Sequence, residues 1–130
     1  MKANIPQNRP IILGYNLTEK SREGLAKLCW EDGILLREIK APQLGVKLLD
    51  LAVGTAQEAA YDKEVPAREA MIFCFTERKV LYFFLDQMKE AGVSVELKAV
   101  MTPTSQEWVL GDLLRELEEE HLEMAKRNNG

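Results

Sequence analysis

The sequence predicts an α+β fold of the ferredoxin-like type: a doubled βαβ unit making one four-stranded sheet, with two additional helices. Three observations carry this. Two short runs, Ile11-Ile12-Leu13 and Met71-Ile72-Phe73, are apolar at every position, as strands covered on both faces must be. Two further stretches, Ile34–Lys40 and Val93–Met101, mix apolar and charged residues, as edge or half-buried strands do. Finally, each half of the chain reads strand, capped helix, glycine, strand, Lys-Ala, proline, helix. A doubled βαβ places strands 1 and 3 at the centre and strands 2 and 4 at the edges. An α/β alternative, a parallel sheet of order 2-1-3-4, buries the same two strands.

Each element follows from local chemistry. Thr18 can cap a helix in which Leu25, Leu28 and Cys29 recur at helical spacing, and Asp32-Gly33 ends it. Pro42 stops the second strand, and Leu44, Leu48 and Leu51 mark a short amphipathic helix ending near Gly54. Residues 55–68 show no period and contain Pro66, so they read as a loop. Thr76 is positioned to cap a helix over 77–91. Leu81, Phe84, Leu85 and Met88 form its main face, widened by Val80 and Phe83, which predicts the best-buried helix of the chain. Gly92 ends it. The last helix has the strongest start signal, a Thr104-x-x-Glu107 capping box with Pro103 and Trp108 as a hydrophobic staple. Leu110, Leu113, Leu114, Leu117, His121 and Met124 follow at helical spacing, and Glu123 and Arg127 form an i,i+4 pair.

Composition narrows the class. At 130 residues, 46% hydrophobic and 29% charged, the chain suits one globular core, here residues 10–127, with a polar arm at 1–9 and a frayed tail at 128–130. No apolar run has the length of a membrane helix, and Met1–Pro10 lacks the apolar segment of a signal peptide. Cys29 and Cys74 lie in separate apolar segments without metal or redox spacing, so two buried free thiols and a cytoplasmic setting are expected. The net charge of −4 resides in residues 101–130, which hold seven acids and three bases, while the first hundred residues are neutral. No basic stripe is present, which argues against a nucleic-acid partner.

The stretch Leu97-Lys98-Ala99-Val100-Met101-Thr102-Pro103-Thr104, with Trp108 a few residues on and an acidic helix reaching Glu120-His121, resembles a family of small bacterial proteins grouped as domain of unknown function 3783. Tyr15-Asn16-Leu17 also fits, and Ser105 stands where members often have Asn. The resemblance implies a domain type and a bacterial, cytoplasmic setting, and it implies no activity.

Candidate chemistry is sparse. His121, with Glu118, makes a single Glu-x-x-His, too few ligands for a metal centre. The Thr102-Pro103-Thr104 turn precedes a helix, where backbone N–H groups can receive an anion, but the capping box competes for the same donors. Lys98 and Lys40 read as equivalent strand-end residues. The ligand-binding candidates are therefore Lys98, Thr102, Thr104, Trp108 and His121, with no catalytic residue, metal or cofactor assigned. The expected function is a non-enzymatic module binding a small ligand or a protein partner, with a homodimer through an edge strand as one form and no membrane partner. The alternative is an enzyme whose site is assembled from residues with no recognisable spacing.

Overall fold

Residues apolar on both faces form the inner strands. In the computed structural model, which describes residues 9–55 and 57–129, β1 (Ile11–Tyr15) and β3 (Ala70–Cys74) lie side by side, with β2 (Leu35–Ile39) and β4 (Leu97–Val100) at the edges. The helices are α1 (Glu19–Asp32), α2 (Leu48–Val53), α3 (Arg78–Ala91) and α4 (Leu110–Asn129). Short 3-10 turns at Ala41–Gln43 and Ser105–Glu107 precede α2 and α4. The arm expected at 1–9 lies almost wholly outside the described residues, and α4 continues into the expected tail as far as Asn129.

The class is α+β, with strands 1 and 3 central as the polarity required. The order is β2-β1-β3-β4, with β1/β2 and β3/β4 parallel and β1/β3 antiparallel. A split βαβ would insert a strand between the parallel partners of each unit; here each edge strand pairs directly with the central strand of its own half. The order is that of the parallel-sheet alternative, but the antiparallel centre excludes an all-parallel sheet. The cause is local. Tyr15 faces both Ile39 and Ala70, so β3 starts where β1 and β2 finish and the connection between halves never recrosses the sheet.

A pseudo-two-fold relates the halves. Ile11 and Ala70, Glu19 and Arg78, and Gly33 and Gly92 are each separated by 59 residues. Leu13 faces Ile72 at that same separation, so the axis passes through this pair. A bridge between Lys47 and Val109 marks its second crossing. There the Leu48 N–H donates to the Trp108 carbonyl at 2.9 Å and the Leu110 N–H to the Val46 carbonyl at 3.1 Å. The residue matches differ from those expected. Lys98 faces Met71 as Leu36 faces Ile12, so its mate is Leu36 rather than Lys40.

Two cores sandwich the sheet. Ile12, Met71 and Phe73 meet α1 and α3 through Leu25, Leu28, Phe84 and Met88, with Phe73 and Phe84 edge-to-face at 5.8 Å. Leu13, Ile72 and Cys74 meet α2 and α4 through Leu48, Leu51, Leu110 and Leu114. The two additional helices thus cover the second face of the sheet.

Thr18 caps α1, its Oγ1 accepting the Ser21 N–H at 3.1 Å, and Gly33 and Gly92 close α1 and α3 at φ 71°. Three expectations fail. Thr76 does not cap α3: Glu77 holds that position, and the Thr76 hydroxyl donates to the Cys74 carbonyl at 3.0 Å. α3 is not the best-buried helix. Only Phe84 and Met88 are buried, while Tyr82 and Phe83 are 58% and 59% exposed, because a stripe centred on Phe84 contacts the sheet and its neighbour in sequence turns away. The fourth strand is shorter than Val93–Met101, because the alternation changes face: Val95 enters the α1/α3 core and Leu97 the opposite one. The loop after α2 contains no helix or strand in its described part. It is tied down by the Gly45 N–H to the Ala59 carbonyl (2.8 Å) and the Ala59 N–H to the Pro42 carbonyl (3.1 Å).

Candidate functional site

The turn between β4 and α4 is built differently from its sequence pattern. The reciprocal pair is Thr102 and Ser105, the Thr102 N–H donating to Ser105 Oγ at 2.9 Å and the Ser105 N–H to Thr102 Oγ1 at 3.0 Å. The Thr104 side chain makes no cap bond, and Glu107 pairs with Lys47 at 3.1 Å instead of returning to Thr104. The reason is tertiary. Trp108 is extended, its carbonyl accepting from Leu48 and its N–H donating to Ser105, so the chain straightens before α4 starts at Leu110. The expected capping box therefore lies on the 3-10 turn and not on the helix. Trp108, the second member of the expected staple, is 37% exposed.

Trp108 stands at the head of a groove along the outside of α4. The inner side of the helix, Leu110, Leu113 and Leu114, is buried, and the stripe one third of a turn away is open. There a hollow of about 470 Å³ is lined by Glu107, Trp108, Val109, Asp112, Arg115, Glu116 and Glu119. It shares Glu116 and Glu119 with a second, shallow region of about 600 Å³ lined by α4 alone, with Glu120, Leu122, Glu123, Met124 and Arg127. Carboxylates outnumber cations along this surface. Arg115 is turned toward the loop, donating to the Glu64 carbonyl at 3.1 Å, and Arg127 lies 3.8 Å from Glu123.

The loop after α2 braces the start of α4 beside this hollow. The Tyr61 hydroxyl donates to Asp112 Oδ1 at 2.7 Å, and its ring lies so close to Gly111 that a Cβ there would meet ring carbons at 2.5–2.6 Å. Burial, and then the bond to the Asp112 carboxylate, push the Tyr61 hydroxyl up to about 12. Tyr61, Asp112 and Arg115 were not among the sequence candidates. The available signal was Gly111, a glycine early in a helical pattern, where close approach of another side chain is one explanation.

The remaining candidates do not converge on this groove. Lys98 shares the α1/α3 side of the sheet with Met71 and donates to the Val95 carbonyl at 2.9 Å, near Leu85 and Met88 of α3. Thr102 is engaged with Ser105, and Thr104 is exposed. His121 is half-buried on α4, and the carboxylate of Glu118, three residues before it, is taken by Arg68 at 3.0 Å; Arg68 also reaches Glu96 at 2.7 Å. Among the described residues no group of three or more His, Cys, Asp or Glu could hold a metal ion. Cys29 and Cys74 are buried and unpaired, and burial pushes both thiols up to about 12.

Residues 69–124 match the family model of DUF3783, a domain of unknown function. The DUF3783 segment takes in β3, α3, β4 and α4 as far as Met124, which is the second half of the pseudo-repeat. The stretch Leu97–His121, which carries the resemblance in sequence, lies inside it, and Tyr15-Asn16-Leu17 lies outside. Every residue lining the groove except Arg127 falls in the DUF3783 segment. No curated protein and no solved structure matches the chain. Among the described residues no helix is long and apolar enough to cross a membrane.

Proposed function

We propose that this domain is a non-enzymatic interaction module of the cytoplasm and that its working surface is the outer face of α4. The observation that carries this is Trp108, a large aromatic held by its backbone at the pseudo-axis and left open at the head of a carboxylate-lined groove. An aromatic ring on a rigid frame is the kind of anchor that dominates interfaces, because it contributes contact area at little cost in side-chain entropy. The charge of the groove repels phosphate backbones, which disfavours nucleic acid. Unpaired thiols suit a reducing compartment.

A photo-crosslinking amino acid placed at Glu119, in cells that naturally contain the protein, tests the reading. Adducts are expected from position 119 and not from Lys27, which lies on the opposite helical layer, and Trp108→Ala should abolish them. Equal adducts from both positions, or adducts that ignore Trp108→Ala, would refute it.

A further inference from the structure

We propose that the partner presents a positively charged amphipathic helix, which lies lengthwise along the outer face of α4. This rests on the reading of that face as the working surface and adds the chemistry of its occupant.

Three features lead there. The first is charge. Asp112, Glu116, Glu119, Glu120 and Glu123 line the groove, against which Arg115 and Arg127 are the cations of α4 in the lining, each with an acceptor of its own. Complementarity then calls for Lys or Arg on the partner. It also disfavours a second copy, since two α4 faces laid together would oppose carboxylates to carboxylates.

The second feature is where the apolar residues sit. Trp108 opens the groove, and Leu122 and Met124, 47% and 61% exposed, close it. From Leu110 to Leu122 the helix rises about 18 Å. A partner helix of three to four turns, with apolar residues near both ends and cations between, matches that spacing. The inner stripe of α4 stops meeting the core at Leu117, and from Glu119 to Arg127 every residue except His121 is exposed. The apolar residues at the far end therefore project past the body of the domain, open to a neighbour.

The third feature is the backbone. A helix satisfies its own N–H and C=O groups along its length, so α4 offers no edge on which an extended peptide could add a strand. Recognition has to run through side chains, which suits a second helix packed lengthwise against α4.

The experiment uses the full chain and two synthetic peptides of about twenty residues. They share apolar positions at helical spacing; one carries Lys and Arg at its polar positions, the other Glu and Asp. In fluorescence anisotropy the basic peptide should bind at least about tenfold more tightly than the acidic one, and the preference should shrink as salt rises from about 0.05 to about 0.5 M. The double substitution Glu116→Lys, Glu119→Lys should weaken the basic peptide by about tenfold or more, and both positions are exposed, so folding is unaffected. Trp108→Ala should weaken it as well. Failure of both peptides to bind, while crosslinks from position 119 persist, would overturn the proposed partner chemistry and leave the working surface standing. Equal binding of both peptides, or indifference to the charge reversal, would overturn the inference. So would sedimentation as a dimer with α4 protected from hydrogen exchange, which makes the occupant a second copy.

Discussion

Gly111→Ala is the substitution for which the structure predicts a change of sign with background. In a free helix, alanine in place of glycine stabilises by roughly 1 kcal/mol. At Gly111, however, the new Cβ falls 2.5–2.6 Å from three carbons of the Tyr61 ring. Ordinary carbon contacts are about 3.5–4.0 Å, so the ring must retreat by roughly 1 Å. Its hydroxyl is held to Asp112 at 2.7 Å, and that bond goes with it. Overpacking of this kind costs about 1–3 kcal/mol, and a partly exposed hydrogen bond about 1 more, so after the helix gain a net loss of about 1–3 kcal/mol is expected. With Tyr61→Ala already present, the obstruction is absent and Gly111→Ala should stabilise by about 0.5–1 kcal/mol. Urea unfolding of the four proteins in this cycle gives the coupling, expected to be about 1.5–4 kcal/mol. If Gly111→Ala has the same effect in both backgrounds, Tyr61 does not rest on Gly111. Ultraviolet titration supplies an independent reading, by difference against Tyr61→Phe. The Tyr61 hydroxyl is pushed up from 10.0 to about 12. A folded-state value above the unfolded one means that the contribution is intact below pH 10 and is lost as pH rises through about 12. Gly111→Ala should move this ionisation back toward 10.

Two further outcomes follow from the caps and the thiols. Thr18→Ala should cost about 0.5–2 kcal/mol in urea unfolding, because it removes the Ser21 N–H acceptor and a hydroxyl bonded to Glu69. Thr104→Ala should cost under about 0.5 kcal/mol, since its side chain caps nothing; an equal loss at both sites would reinstate the capping box. Cys29 and Cys74 should resist a thiol-specific reagent at pH 8 in the folded protein and react fully in denaturant, and fast labelling of either in native conditions would contradict their burial. Both thiols are raised from 9.0 to about 12 when folded, so their contribution to stability holds below the unfolded value and fades as pH climbs through about 12.

What the sequence could reveal was what depends on neighbours in the chain. Ile11–Leu13 and Met71–Phe73 are apolar at consecutive positions, which only a doubly covered strand tolerates, and both strands are central. Gly33 and Gly92 sit where a left-handed residue must end a helix. The Thr104–Glu107 pattern misled because its surroundings are set from afar. A bridge to Lys47, about sixty residues earlier, holds the chain extended at Trp108 and separates the turn from α4. Phe83 misled in the same way, since the width of sheet available to α3 depends on α1 lying beside it. The groove was partly legible: the acidic run was visible on α4, but which of its faces stayed open depended on where the core ends and on Tyr61 reaching across from the loop.

The asymmetry between the two halves supports the proposed placement of the working surface on α4. Across the pseudo-axis α2 and α4 occupy corresponding places, yet α2 has six residues and α4 twenty. α2 is closed off by Gly54 and by Arg37, whose Nη1 donates to the Leu51 and Ala52 carbonyls at 2.8 Å each. The chain then turns back as the loop whose Tyr61 and Glu64 brace the start of α4. The first half thus spends its length on supporting the second, and α4 alone runs on past the core. Glu116, Glu119, Glu120 and Glu123 repel one another at i,i+3 and i,i+4 spacing, and among the described residues only Glu123 of the four has a salt-bridge partner, Arg127 at 3.8 Å. A basic partner, as proposed, would relieve that repulsion by placing cations against these carboxylates.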